Sequence, residues 1–336
     1  MSTKTVSRSY GVAIRDGFAY LLRTYPEVFV IGQGLWSPWY VGNSMTDLDT
    51  EFGRERVIDS PVSEMACTGA AVGAAIAGRR PIVVHPRMDF MILATDQIVT
   101  QAAKWSSMFA GKVSAPVVIR GIINRGGEQG AQHSQALHAW FAHVPGLRVV
   151  MPATPLDARD LLVSASVCGD PVLYIDDRWL YERTGDLPSN PDEDAIFSGP
   201  AVRVAGEDVT LVGAGYSAYL VEQAAAELGK EGISAEAIDL RVVNPLDIGP
   251  VVESVQRTGR LVVVDGGWTT CGLAGEVIAS VVERLEPDAL RTAPRRITLQ
   301  DVPAPTSGPL EARYYPTVSR VVQVTRQALE AAPRGT

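Results

Sequence analysis

Short runs rich in valine and isoleucine, each followed by a helical pattern, constrain this chain more than any other feature. Val28-Phe29-Val30-Ile31-Gly32, Arg56-Val57-Ile58-Asp59, Pro81-Ile82-Val83-Val84-His85 and Ala115-Pro116-Val117-Val118-Ile119-Arg120 read as strands. Leu147-Arg148-Val149-Val150 and Pro171-Val172-Leu173-Tyr174-Ile175 continue the series. Residues 6–25, 64–78, 92–109 and 134–143 read as helices between them. Strands buried on both faces need continuous apolar runs, and helices between parallel strands cover both faces of the sheet. The fold class expected is therefore α/β and doubly wound.

Residues 181–206, YERTGDLPSNPDEDAIFSGPAVRVAG, break this rhythm with proline, glycine, aspartate and serine, as an interdomain crossing does. A second α/β pattern follows, with strands at 209–212, 235–239 and 261–264 and helices near 217–230, 248–257 and 272–284. The expected organisation is a first domain over 1–185, a linker over 186–206 and a second domain over 207–336. A length of 336 residues accommodates two or three domains of about 100–200 residues.

Several function classes are disfavoured at this level. The net charge is −8, whereas phosphate backbones and anionic membranes require a basic face, so neither is an expected partner. No apolar run approaches the ~18 residues of a membrane span, and MSTKTVSRSYGVAIRD lacks the apolar centre of a signal peptide. Cys67, Cys168 and Cys271 are too far apart for a disulfide framework or a zinc site, which suits a reduced cytoplasmic protein. Neither a G-x-S-x-G elbow nor a Walker A sequence occurs. Gly213-x-Gly215-x-x-Ala218, with Asp239 at the end of the next strand, imitates a dinucleotide fingerprint. The simpler reading is a tight strand-to-helix turn.

Chemistry concentrates at strand ends, where the ligand crevices of α/β sheets lie. In Asp59-Ser60-Pro61-Val62-Ser63-Glu64-Met65, Ser63 is placed to cap a helix and Glu64 falls in its first turn. Glu64 either complements the helix dipole or is a desolvated carboxylate that shares a proton with a bound heterocycle. The helix after it is rich in small residues, from Gly69 to Gly78, which suits close packing within the subunit or against a partner. His85-Pro86-Arg87-Met88-Asp89-Phe90 follows a buried strand directly. Its charges need a solvated or ligand-filled cleft, and Phe90 can stack on a flat ring. The loop from Arg120 to Gln135 is glycine-rich and carries Arg125. His133 stands at its end as a helix cap or a proton shuttle. His138 and His143 read as structural or exposed, and Val264-Asp265-Gly266-Gly267-Trp268 as a strand-end packing turn.

Taken in order, several of these stretches resemble the beta subunit of the thiamine-diphosphate-dependent first component of 2-oxo acid dehydrogenases, of pyruvate, branched-chain or acetoin type. They are Asp59 to Met65, GAAVGAAIAGRRPIVV, Asp96-Gln97-Ile98, Ala131-Gln132-His133-Ser134-Gln135, His143-Val144-Pro145-Gly146-Leu147, Arg241-Val242-Val243-Asn244-Pro245-Leu246-Asp247 and Gly266-Gly267-Trp268. The transketolase superfamily is similar more loosely. The resemblance implies a pyrimidine-binding thiamine-diphosphate domain followed by a transketolase C-terminal-like domain. It implies that Glu64 bonds N1′ of the aminopyrimidine, that Phe90 packs on that ring, and that Val62 and Pro86 line it. It makes His133 the histidine that assists proton and acyl transfer, and it offers the carbonyls of Val117, Ala165, Cys168 and Asp170 as a backbone potassium site.

The G-D-G motif with its following asparagine, which holds diphosphate and Mg2+ in thiamine enzymes, is absent from this sequence. The resemblance therefore implies half a cofactor site, completed by an alpha subunit in an α2β2 heterotetramer, with a lipoyl acyltransferase as a further partner. Val84 stands where the family carries an acidic residue, and His85, Pro86 and Arg87 where it carries bulkier or uncharged ones. The loop 122–128 lacks the usual proline-asparagine-glycine run. Extra His and Arg near the ring suit a polar or phosphorylated substrate, with His85, Arg87, Arg125 and His133 as the candidate substrate residues. Three readings stand: a 2-oxo acid dehydrogenase subunit, a two-component transketolase-like or acyloin-forming enzyme acting on a ketose phosphate, and a scaffold without chemistry. Retention of both Glu64 and His133 speaks against the third.

Overall fold

The computed structural model describes residues 5–286 and 288–331, so the outermost residues of both expected domains lie outside the described part. In chain order the strands are β1 (Thr5–Ser9), β2 (Val28–Gly32), β3 (Val57–Asp59), β4 (Arg80–His85), β5 (Val118–Ile123), β6 (Arg148–Val150), β7 (Val172–Asp177), β8 (Thr184–Pro188), β9 (Ala201–Val204), β10 (Val209–Gly213), β11 (Ala235–Asp239), β12 (Val242–Asn244), β13 (Leu261–Trp268) and β14 (Arg295–Leu299). The chain forms two compact units, residues 1–125 with 140–198, and residues 126–139 with 199–336.

In the first unit, strands run in the order β6-β7-β5-β4-β2-β3, and every pair is parallel. Most of their residues are buried, those of β5 and β7 throughout, as continuous apolar runs require. A helix at Tyr10–Thr24 and another at Pro155–Val167 supply much of the covering layer. Thr154 caps the latter by accepting from Asp157 N, and Pro155 fits its first turn. The reading of 6–25 as one helix shifts, because residues 5–9 pair with β8 as an antiparallel ribbon before the helix starts. The helical pattern expected over 92–109 is broken into a 3-10 turn at Ile92–Ala94, a π-helical stretch at Asp96–Ala102 and an α-helix at Ala103–Met108.

Strand β5 buries a charge. Arg120 is fully buried and makes a two-pronged bond to Asp176 on β7, Nε to Oδ1 at 2.9 Å and Nη2 to Oδ2 at 2.8 Å. Tyr181 Oη donates to Asp176 as well, at 2.6 Å. Such a two-pronged, hydrogen-bonded geometry offsets the cost of taking both charges out of water.

The second unit carries a sheet in the order β14-β13-β10-β11-β9, parallel except for β9. Its core gathers Leu211, Val221, Ala224, Leu228, Val262 and Val321. The glycine pattern at 213–218 is the tight turn from β10 into the helix Tyr216–Gly229. A Cβ on Gly213 would lie 2.5 Å from the Ser217 carbonyl carbon, so glycine is required by packing. Asp239 is fully buried and ion-paired with Arg203 at 2.8 Å, which leaves no ribose-binding carboxylate there. The segment 264–268, expected as a turn, remains strand to Trp268, with a register irregularity between Val264 and Trp268.

Candidate active site

The parallel strands of the first unit deliver their functional residues at their carboxyl ends, as α/β topology dictates. Gln33 follows β2, Glu64 begins the helix after β3, and His85 ends β4. Asn124 and Arg125 follow β5, and Asp177 ends β7.

Glu64 opens the helix Glu64–Ile76. Ser63 occupies the cap position but makes no side-chain cap bond, so the helix start relies on Glu64 itself to meet the dipole. Only 8% of Glu64 is exposed, and its Oε1 accepts from Gln33 Nε2 at 3.0 Å. Gln33 was not among the expected site residues, although its place after a strand ending at Gly32 is the signal that finds it. Val62 and Met65, which flank Glu64 closely in sequence, are 78% and 59% exposed, and Phe90, five residues beyond the end of β4, is 36% exposed. A sequestered carboxylate among exposed apolar side chains fits an uncharged nitrogen heterocycle, so these residues suit the aminopyrimidine half of a thiamine cofactor. Pro86 is buried between His85 and Arg87.

His85 lies behind this helix. Its Nε2 is 3.2 Å from Oγ1 of Thr68, one turn beyond Glu64. Burial pushes its pKa down from 6.5 to about 4, with the Glu64 carboxylate opposing the shift. A neutral, buried imidazole offers an anion no charge, so His85 is placed differently from the expected substrate clamp.

Arg87 is half-buried and donates from Nη1 to the Asn124 carbonyl at 3.1 Å. Burial lowers its pKa, and the Asp89 carboxylate opposes that effect. Arg125 is buried, donates from Nη2 to Asp177 Oδ2 at 2.8 Å, and lies 4.7 Å from the Trp179 ring centroid. Burial raises the Asp177 carboxyl, with Arg125 opposing. The Arg125 charge thus already has a carboxylate and an aromatic face.

Of the candidate potassium carbonyls, those of Ala165, Cys168 and Asp170 lie at or just after the end of the helix Pro155–Val167. Cys168 Sγ donates to the Ala165 carbonyl at 3.3 Å and lies 3.9 Å from that of Asp170. The Val117 carbonyl accepts from Val172 N at 2.9 Å. Arg80 Nη1 donates to the Ser166 and Val167 carbonyls at 2.8 and 3.1 Å, so a guanidinium already meets the negative end of this helix.

Within the second unit, His133 is half-buried in a 3-10 turn at Ala131–His133. His138 is buried and donates from Nε2 to Asp265 Oδ1 at 2.8 Å. Burial alone would raise the Asp265 carboxyl, but His138 and the Gly267 and Ala274 amides outweigh it and hold it below the usual range. Among the described residues no group of three or more His, Cys, Asp or Glu side chains could hold a metal ion.

Comparison with known proteins places the chain in a family. The family model for the transketolase pyrimidine binding domain matches residues 7–182, and that for the transketolase C-terminal domain matches residues 200–321. The pyruvate dehydrogenase E1 component subunit beta of Rhizobium meliloti (strain 1021) is 37% identical over 97% of this chain and 70% of its own length. The acetoin:2,6-dichlorophenolindophenol oxidoreductase subunit beta of Cupriavidus necator is 42% identical over 82% of this chain and 81% of its own. The chain belongs to the beta-subunit family of thiamine-diphosphate-dependent 2-oxo acid dehydrogenases. The Bacillus subtilis acetoin:2,6-dichlorophenolindophenol oxidoreductase subunit beta, 38% identical over 94% of this chain and 96% of its own, agrees with that assignment. A solved structure described as a split gene transketolase, an inactive beta4 tetramer, shares the fold with a TM-score of 0.74 at 22% identity, covering 96% of this chain and 98% of that one. This beta subunit is accordingly a transketolase-type α/β protein, and among its described residues no helix is long and apolar enough to cross a membrane.

Proposed function

We propose that this chain is the beta subunit of a two-component 2-oxo acid dehydrogenase, decarboxylating pyruvate or a related 2-oxo acid. The observation that carries the reading is the Glu64 carboxylate, sequestered at a strand end among exposed apolar side chains with Gln33 on one oxygen. In this reading Glu64, Val62, Pro86 and Phe90 hold the aminopyrimidine, and Phe90 supplies a face for it. Because Gln33 occupies Oε1, the proton shared with the ring nitrogen resides at Glu64 Oε2. When bound, thiamine diphosphate supplies a nucleophilic carbon and an electron sink. His133 gives or takes a proton at the substrate oxygen, the role for which an imidazole is suited near neutral pH. Arg87 orients the anionic end of the substrate. His85 and Arg125 act at one remove, His85 through Thr68 on the Glu64 helix and Arg125 by holding Asp177.

The diphosphate and Mg2+ belong to the alpha subunit, since this sequence has no G-D-G motif to hold them. An α2β2 heterotetramer is the proposed assembly. Ala66, Ala70 and Gly73, exposed along the Glu64 helix, support a close-packed interface, and a Cβ on Gly73 would meet nothing within 4 Å. A lipoyl acyltransferase is the proposed acyl acceptor, and a potassium ion on the carbonyls of Val117, Ala165, Cys168 and Asp170 the proposed structural ion. Cys67, Cys168 and Cys271 are all free thiols, which supports a reducing, cytoplasmic setting.

The test is a donor screen on this chain co-expressed with its alpha subunit, with thiamine diphosphate and Mg2+. Turnover of pyruvate or a branched 2-oxo acid with a dye or lipoyl acceptor is the expected result. Turnover of a ketose phosphate alone would overturn it in favour of a transketolase-like transferase.

A further inference from the structure

We propose that Arg178, together with Arg87, binds a second anionic group on the substrate, remote from the carbonyl that reacts, and so determines specificity. The inference rests on the 2-oxo acid reading and narrows it to 2-oxo acids that carry a carboxylate or phosphonate at the far end. Arg178 directly follows β7, and Tyr40 lies in the loop after β2. Strands β5 and β4 stand between β7 and β2 in the sheet. Arg178 Nη2 nonetheless donates to the Tyr40 carbonyl, so the two segments meet across the carboxyl ends of β5 and β4. Those ends lead into Arg125 and Arg87, each two residues beyond its strand. Three neighbouring strands thus run into arginines at the end of the sheet where α/β proteins bind their ligands. The loop that receives Arg178 begins at Gln33, the partner of Glu64.

Arg178 is held in place without being neutralised. The Asp177 side chain caps its turn, Arg178–Leu180, by accepting from Trp179 N at 3.0 Å. Its guanidinium lies 5.8 Å from the Tyr181 ring centroid. Tyr40 is fixed as well: its amide donates to Ser37 Oγ at 3.2 Å, and its ring fills the space that a Cβ on Gly34 would need. Arg120 and Arg125 each have a carboxylate, Asp176 and Asp177. Arg178 has an uncharged carbonyl, makes no ion pair among the described residues, and keeps its Nε buried without a partner. Burial lowers the Arg87 pKa, and the nearby Arg178 charge adds to that effect against Asp89 and Tyr40. With Asp89 beside Arg87 and Asp177 on Arg125, the Arg178 charge is the one in excess at this end of the sheet. A bound oxyanion would relieve the repulsion, and planar guanidiniums suit its geometry. That anion is not the carboxylate lost as carbon dioxide. Its charge leaves it in the transition state, so guanidiniums on it would stabilise the ground state more and slow the reaction. An anion that stays on the substrate carries no such penalty.

The test uses this chain assembled with its alpha subunit and loaded with thiamine diphosphate and Mg2+. Steady-state kinetics is measured with pyruvate, 2-oxohexanoate, 2-oxoglutarate and phosphonopyruvate, for the wild type, Arg178→Gln and Arg178→Lys. For one of the two doubly anionic acids, kcat/KM is expected to exceed that for pyruvate and 2-oxohexanoate by about tenfold or more. Which of the two is preferred separates a carboxylate from a phosphonate. Arg178→Gln should narrow the preference about 10- to 100-fold, the range for a hydrogen bond to a charged group, mainly by raising KM for the doubly anionic acid. Arg178→Lys, which keeps the charge but loses the fork, should fall between. The preference is a ratio taken on one preparation, so partial unfolding of a variant does not alter it. A higher kcat/KM for pyruvate or 2-oxohexanoate in the wild type, or an equal loss with every acid in Arg178→Gln, overturns the inference and leaves the 2-oxo acid reading standing. Turnover of a ketose phosphate alone overturns that reading instead. An Arg178→Gln KM for the ketose phosphate equal to that of the wild type would then remove the anion site as well.

Discussion

Gln33 Nε2 donates to Glu64 Oε1 at 3.0 Å, joining the residue after β2 to the first residue of the helix after β3. This bond engages one oxygen of a carboxylate that is 8% exposed, and it leaves the other to exchange a proton. The two strands lie side by side in parallel register, Gly32 opposite Asp59, so the sheet itself brings the pair together.

Glu64→Gln should lower turnover by roughly 100- to 10,000-fold, the range for loss of a general acid–base group. Glutamine retains an oxygen for Gln33, so assembly with the alpha subunit should be unaffected. Steady-state kinetics beside size-exclusion chromatography checks both halves. Wild-type turnover by this variant would overturn the central assignment.

Gln33→Ala removes a hydrogen bond to a charged group, worth about 1.5–3 kcal/mol. Turnover is expected to fall about 10- to 100-fold, because the carboxylate loses the donor that orients it. Steady-state turnover equal to that of the wild type would show that Gln33 does not orient Glu64.

Acid should weaken the fold through His85. Its folded pKa of about 4 lies below the ordinary 6.5, so between these values the unfolded chain binds the extra proton. Stability therefore rises with pH across that window, and the His85 contribution is lost as pH falls through it, to about 3 kcal/mol in all. Thermal melts at pH 4.5 and pH 7 should differ less for His85→Gln than for the wild type.

Asp177→Ala strands the buried Arg125 guanidinium and should destabilise the fold by about 3–5 kcal/mol. The double variant Arg125→Met with Asp177→Ala should recover much of that loss. Chemical denaturation of all three proteins decides the matter. If Arg125→Met instead abolishes turnover at unchanged stability, Arg125 belongs to the substrate.

Potassium should raise the melting temperature more than the same concentration of sodium. Substituting Cys168→Val, which removes the thiol beside the Ala165 and Asp170 carbonyls, should alter that difference. Identical melting curves in the two salts would remove potassium from the account.

How far the sequence could be read follows from the range of the interactions involved. Periodicity is local, and it marked β2, β4, β5 and β7 because a strand covered on both faces must be apolar along its whole length. Glu64 and His133 stood out as candidates because their stretches have the residue types and order of a known family. The first helix boundary was not, since residues 5–9 become strand only by pairing with β8, some 175 residues away. Likewise His85 and Arg125 read as cations for a ligand until burial and Asp177 were known.

The alternation of apolar runs and helical patterns determined an α/β protein with mostly parallel sheets, and the residues that close each strand marked where its candidate chemistry lies. Tertiary structure alone decided which polar groups meet: Gln33 with Glu64, Thr68 with His85, Arg125 with Asp177 and His138 with Asp265. Sequence patterning records which faces must leave water, because that requirement repeats along the chain. The pairing of a buried charge depends on partners tens to hundreds of residues distant, and no local pattern records it.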